Sequence, residues 1–187
     1  MENEKEEMQE TLPAGYYQER EIVKLLLLYG RKVMTDFYGR DCCVAQVIVD
    51  FIENTQLYFS DKNNSNIYDV FKYLLFVRYI PDGRELLEIP TLHQTVSELL
   101  ESPYKLDELG KYGIIINDED KKILSNNVLS SLLRYFDLVV SDRMKYLDEV
   151  YDETEDEEEK NKLVMNYDIL RFMRIKLNKA LGIMIAK

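Results

Sequence analysis

The chain has 187 residues, of which 46% are hydrophobic and 32% charged, and its formal net charge is -11. This size fits one domain or two small subdomains with a real core. The excess of acidic residues and the absence of a Lys/Arg-rich run argue against direct binding to nucleic acid and against binding to an acidic membrane surface.

The pattern of apolar and turn residues in the N-terminal part of the chain predicts a compact group of helices. Residues 1–15 are expected to be disordered, because charge dominates there without periodic apolar positions. The apolar spacing then predicts a helix from Gln18 to Tyr29, ended by Gly30. Residues 31–40 fit either a loop or a short hairpin, and Asp41 is expected to cap a helix that runs to about Phe59. The remaining predicted elements are a polar turn at 61–66, a helix at 67–79, a turn at 81–83, helices at 91–100 and 106–112, and an extended link at 114–116.

Two long helices are predicted for the last third of the chain. Asn117 or Asp118 is a suitable N-cap, and no Gly or Pro follows before Asp152. Apolar residues recur in steps of three and four on both sides of the acidic segment 152–159, which predicts an antiparallel hairpin with one seam. The seam residues are Leu129, Leu133, Phe136, Val140, Met144, Leu147 and Tyr151 in the first arm, and Leu163, Tyr167, Leu170, Arg174, Leu177, Leu181 and Met184 in the second.

The predicted fold is therefore all-α, with a compact helical bundle at 16–116 followed by a long antiparallel helical hairpin at 117–187. An arm of two helices has no second layer to cover its outer apolar side chains. Such an arm usually binds another protein.

Few residues suggest chemistry. His93 is the one histidine in the sequence and, without ligands at metal-binding spacing, is expected to cap or pack. Cys42 and Cys43 are adjacent, which disfavours a disulfide, and they are expected to be buried. The acidic run 148–159 lacks the glycine and oxygen spacing of a calcium loop, so it is either a solvated turn or a contact for a basic groove on a partner. We expect no catalytic residues, no metal and no cofactor.

The chain is also expected to be cytoplasmic. No signal peptide is visible, and the apolar run 22–29 contains Lys24 and is too short to cross a bilayer.

Several segments resemble the C-terminal domain of bacterial replicative DNA primases, particularly those of the Bacteroidetes. The segment from Tyr16 to Gly30 is similar to the start of that domain. Two further segments, 99–106 and 111–114, and the closing segment 177–183 are similar to later parts of it. The acidic interruption between the two long helices falls where that family has its hairpin turn.

The resemblance implies a non-catalytic helicase-interaction domain. In that family the hairpin binds the hexameric replicative helicase, the bundle modulates helicase and primase activity, and primer synthesis belongs to other domains. We expect the contact surface on the distal half of the hairpin, at Arg143, Tyr146, Leu147, Val150, Leu163, Val164, Tyr167, Leu170 and Arg174. The alternative is a self-associating all-α structural module, in which the same seam joins two copies.

Overall fold

The computed structural model describes residues 15–101 and 121–180. These residues are predominantly helical, with a short two-stranded sheet, so the predicted all-α class is confirmed. The elements are α1 (Tyr16–Tyr29), β1 (Val33–Thr35), β2 (Asp41–Cys43), α2 (Val44–Thr55), α3 (Lys62–Phe76), a 3-10 helix (Gly83–Glu88), α4 (His93–Glu101), α5 (Lys121–Glu153) and α6 (Glu157–Ala180). The predicted disordered segment up to residue 14, the predicted elements at 106–112 and 114–116, the cap at 117 or 118 and the seam positions Leu181 and Met184 lie outside the described residues.

Helix α1 lies at the centre of the bundle. It contacts α2, α3, α4 and α5, and five of its apolar side chains are at most 5% exposed. Its four consecutive leucines put apolar atoms on several faces, as a helix surrounded by others requires. The buried set is Ile22, Val23, Leu25, Leu26 and Leu27.

The segment at 31–40, which fitted either a loop or a hairpin, is part of a small β-hairpin. Strands β1 and β2 pair antiparallel with Met34 opposite Cys42, and Asp36 accepts hydrogen bonds from two backbone N–H groups of the turn. Asp41 was predicted to cap the next helix, and this was wrong. Strand pairing holds Asp41 extended, and the Sγ atom of Cys43 takes the cap position by accepting the Gln46 N–H at 3.4 Å.

The predicted turn at 61–66 was also wrong in part. Asp61 accepts the N–H of Asn64 at 2.8 Å, so the polar residues from Lys62 onward form the first turn of α3. A single capping carboxylate is enough to start the helix there, since it satisfies one of the free N–H groups at that end. Helix α4, at His93–Glu101, matches the helix predicted at 91–100 to within two residues.

Helix α5 belongs to both the bundle and the helical hairpin. Its first half buries four apolar side chains in the bundle core, and Phe136 packs edge-on against Phe51 of α2 at 6.1 Å between ring centroids. Leu129 also packs on the bundle, so the proximal part of the predicted seam does not face α6. Apolar periodicity identifies an apolar face of a helix but does not identify what covers it. The four core residues are Leu124, Val128, Leu132 and Tyr135.

Candidate protein-interaction surface

The helical hairpin forms because its sequence favours two uninterrupted helices and a short turn. Residues 121–180 contain neither Gly nor Pro, and at 1.5 Å per residue α5 is about 50 Å long. Helix α5 ends where the Thr154 hydroxyl donates to the carbonyl of Val150 at 2.7 Å. Helix α6 begins after Asp156, whose side chain accepts the Glu158 N–H at 2.9 Å. The acidic residues 157–159 in its first turn favour that helix end.

The two arms are joined by apolar burial and by polar contacts near the seam. Val140, Met144 and Leu147 of α5 are buried, as is Leu177 of α6. Arg174 donates to Asp137 at 3.0 Å, and the ammonium group of Lys160 lies 5.4 Å from the ring centroid of Tyr151. These contacts fix the antiparallel register of α6 on the distal part of α5.

A shallow groove lies near the turn of the hairpin, on one side of the seam. We call it the tip groove; it has a volume of about 160 Å³ and is lined by Leu147, Asp148, Tyr151, Leu163, Val164 and Tyr167. Tyr151 is 39% exposed and Val164 is 45% exposed. Large apolar groups left accessible at a concave site are typical of protein contacts.

The nine residues expected to contact a partner do not form one patch. Leu147 is buried in the seam, and Leu163, Tyr167, Leu170 and Arg174 are half-buried on the side of α6 that faces α5. Arg143, Tyr146 and Val164 are exposed, and Val150 is half-buried.

Helical geometry places the exposed residues among these nine on different sides of the hairpin. Tyr146 and Asp148 are two residues apart and so point to nearly opposite sides of α5. Asp148 and Val164 line the tip groove together, which places Tyr146 away from that groove. The guanidinium carbon of Arg143 lies 4.7 Å from the Tyr146 ring centroid, so these two side chains form a separate exposed pair.

The sequence reasoning missed a second apolar face on α6. Met165, Ile169 and Phe172 are 66%, 55% and 58% exposed. They lie on the side of the helix opposite the seam, because Met165 and the seam residue Tyr167 are two positions apart. We call the line of residues along this face the outer stripe: Glu158, Lys162, Met165, Ile169, Phe172 and Lys176. The sequence contains a signal for this face, because Met165, Ile169 and Phe172 follow one another in steps of four and three that are offset from the positions of the seam residues.

The charge of the hairpin is unevenly distributed. Nine of the twelve residues at 148–159 are acidic, whereas Arg171, Lys176 and Lys179 lie toward the other end of α6. Ion pairs such as Lys162 with Glu158, 2.9 Å apart, are exposed and add little stability. The tip therefore presents a negative potential that would attract a basic surface on a partner.

A buried carboxylate connects the bundle to the hairpin. Glu19 of α1 is 1% exposed and accepts hydrogen bonds from the Ser60 N–H, the Ser60 hydroxyl and the Asp61 N–H, at 2.7 to 3.0 Å. The Tyr135 hydroxyl of α5 lies 3.2 Å from the same carboxylate and 2.5 Å from the carbonyl oxygen of Tyr58. Burial, and then the charge of Glu19, raises the pKa of Tyr135, so its hydroxyl remains a donor.

The residues considered for chemistry have structural partners. His93 Nδ1 lies 2.9 Å from the Leu87 carbonyl oxygen. The two cysteines are half-buried rather than buried as predicted, because β2 is an edge of a two-stranded sheet. Burial, followed by the charge of Asp36, raises the pKa of the Cys42 thiol, and a protonated thiol is a poor nucleophile.

The described residues also lack a metal-binding cluster and a membrane-spanning helix. Within residues 15–101 and 121–180, no three His, Cys, Asp or Glu side chains are grouped so that they could hold a metal ion. No helix in those ranges combines the length and the apolar character needed to cross a membrane. A groove of about 530 Å³ between α2 and α3 is lined by Val49, Tyr73 and Phe76, and its one lysine, Lys72, is paired with Glu53 at 2.7 Å.

The fold and its exposed faces thus define a class: an all-α protein in which a helical bundle carries a hairpin with an uncovered apolar side. The chain belongs to the family described as a domain of unknown function, DUF8430, which matches residues 3–185. No curated protein and no solved structure matches the chain.

Proposed function

We propose that this chain is the non-catalytic helicase-interaction domain of a bacterial DNA primase. In this role it binds the hexameric replicative helicase, recruits primase during DNA replication and acts in the cytoplasm. The observation that carries the proposal is the tip groove, where the apolar side chains of Tyr151 and Val164 stay accessible next to the acidic turn. The identity of the partner comes from the resemblance of residues 16–30, 99–106, 111–114 and 177–183 to that primase domain.

The tip groove is the part of the hairpin best suited to receive a side chain of the partner. Tyr151 and Val164 supply accessible apolar area, while the buried Leu147 and the half-buried Tyr167 hold the groove in shape. Aromatic side chains that become buried at the centre of an interface commonly dominate its binding energy. The acidic residues around the tip would speed association with a basic helicase surface, and added salt would slow it.

The proposal is tested by measuring the affinity of the full chain for the cognate helicase. We expect the double variant Tyr151→Ala with Val164→Ser to bind about 30-fold more weakly, since loss of a central aromatic contact costs about 2 kcal/mol. The matched control is Tyr73→Ala, which removes a 66% exposed tyrosine from the bundle. Deletion of residues 140–170 should abolish capture of the helicase, and retained binding after that deletion would refute the assignment.

The alternative function, a self-associating structural module, makes a different prediction in the same assay. Such a module has no need of a helicase, so the full chain would fail to bind it at any concentration tested. The exposed apolar outer stripe of α6 favours self-association as an additional property, which does not depend on the helicase proposal.

A further inference from the structure

The outer stripe has the spacing of a coiled-coil seam. Its six residues, at 158, 162, 165, 169, 172 and 176, follow one another in steps of four, three, four, three and four. This spacing keeps apolar side chains along one face of a helix and is the pattern by which a second helix packs against it. The opposite face of α6 is already occupied by α5, so the stripe offers a second, unoccupied seam.

The stripe is also symmetric about its midpoint, residue 167. A second copy of α6 running in the opposite direction brings three kinds of pair together across the two-fold axis. Met165 meets Ile169, Lys162 meets Phe172, and Glu158 meets Lys176, each pair occurring twice.

Each of these pairs is chemically complementary. Met165 and Ile169 are both apolar and more than half exposed, so their contact removes apolar surface from water. Lys162 would place an ammonium group at the Phe172 ring; the ring already accepts Lys176 of its own helix at 4.5 Å from the centroid. Glu158 and Lys176 carry opposite charges at the two ends of the stripe, and the ion pair of Glu158 with Lys162 in its own helix is exposed and weak enough to be exchanged.

A parallel arrangement lacks this complementarity. It would bring Glu158 against Glu158 and each lysine against its own counterpart, which places like charges together at three positions. Parallel helices would also align their dipoles unfavourably, whereas antiparallel helices bring the acidic N-terminal turn beside the basic C-terminal turn.

We propose that two copies of this chain associate through their outer stripes, with the two α6 helices antiparallel at the centre and an α5 helix on each outer side. The occupant of the exposed face is thus a second copy of the chain. The contact runs over about 27 Å of helix, from residue 158 to residue 176. An interface of this limited size belongs to the weak, transient class, and we expect a dissociation constant on the order of 10 μM.

Two charge-reversal variants of the full chain test this pairing. Glu158→Lys brings the introduced lysine against Lys176 twice in its homodimer, and Lys176→Glu brings the introduced glutamate against Glu158 twice. We expect each variant alone to dimerise about 10-fold more weakly than the unsubstituted chain in sedimentation equilibrium at low salt, because two attractive pairs become repulsive. Circular dichroism verifies that both variants remain folded.

An equimolar mixture of the two variants gives the decisive result. At one end of the mixed dimer, the lysine introduced at position 158 faces the glutamate introduced at position 176. At the other end, the native Lys176 of the first variant faces the native Glu158 of the second, so both end pairs are attractive again. Association should return to within about threefold of the unsubstituted chain. Glu149→Lys is the matched control: it makes the same charge change on the exposed outer side of α5 and should leave dimerisation unchanged.

Three outcomes would overturn the proposal. They are an unsubstituted chain that is monomeric at about 100 μM, variants that dimerise as well as the unsubstituted chain, and a mixture that does not recover association. A further variant, Phe172→Ser, separates this proposal from the helicase proposal: it should be monomeric but should retain helicase affinity, which depends on the tip groove.

Discussion

At the scale of single residues, the hydrogen bonds accepted by the Glu19 carboxylate contribute directly to the stability of the fold. Its carboxylate is enclosed by α1, the segment before α3, and α5, and it satisfies two backbone N–H groups and one hydroxyl. Those groups are partly buried and would lose their acceptor without it. A buried donor without a partner costs more free energy than an ordinary hydrogen bond contributes.

We predict that Glu19→Ala lowers the free energy of unfolding by about 3 kcal/mol, because three donors are left without an acceptor. Urea unfolding followed by circular dichroism measures this change. The control is Glu98→Ala, which removes a half-exposed carboxylate whose ion pair with Arg20 is 3.9 Å long and should cost less than about 0.5 kcal/mol. Equal effects of the two substitutions would contradict the structural role assigned to Glu19.

At the scale of elements, the helical hairpin is stabilised mainly by apolar burial along its seam. The ion pair between Asp137 and Arg174 lies at the edge of that seam, with 26% and 41% of the two side chains exposed. Partly exposed pairs of this kind are weakened by water and salt and by the entropy of fixing two long side chains.

A double-mutant cycle on Asp137→Ala and Arg174→Ala should therefore give a coupling energy of about 0.5 kcal/mol, which added salt reduces. Thermal or urea unfolding of the four proteins measures it. Arg174→Ala should leave helicase affinity nearly unchanged, since the guanidinium group is directed to Asp137. A large loss of affinity would show instead that Arg174 contacts the partner, as predicted from the sequence.

At the scale of the whole molecule, the hairpin and the bundle share one core. Leu124, Val128, Leu132 and Tyr135 of α5 pack with α1 and its neighbours, at exposures of 7% or less. Each such side chain contributes about 1.5 to 3 kcal/mol of burial free energy. Their sum is comparable to the entire stability of a typical domain.

A fragment ending at residue 116 should consequently lack a cooperative unfolding transition, although the sequence suggested a bundle at 16–116. A fragment ending at residue 139 retains the first half of α5 and should unfold cooperatively. Thermal unfolding followed by near-UV circular dichroism distinguishes the two. Cooperative unfolding of the shorter fragment would show that the bundle is independent of α5.

The helical class, the positions of most helices and the existence of the long hairpin could be predicted from the amino-acid sequence. Periodicity and the absence of Gly and Pro are local properties, and they are sufficient for this purpose. The resemblance to a primase domain likewise came from local segments, and the helicase partner stays a prediction.

Which apolar face packs against which other helix could not be predicted from the sequence and is seen in the folded chain. Leu129 and Phe136 share a helical spacing with Leu147, yet they contact the bundle, whereas Leu147 lies in the hairpin seam. The spacing of Met165, Ile169 and Phe172 resembles that of the true seam, yet these residues face solvent. Hydrophobic burial is non-directional, so a pattern identifies an apolar face, and the packing of the whole chain specifies whether that face is covered and by what.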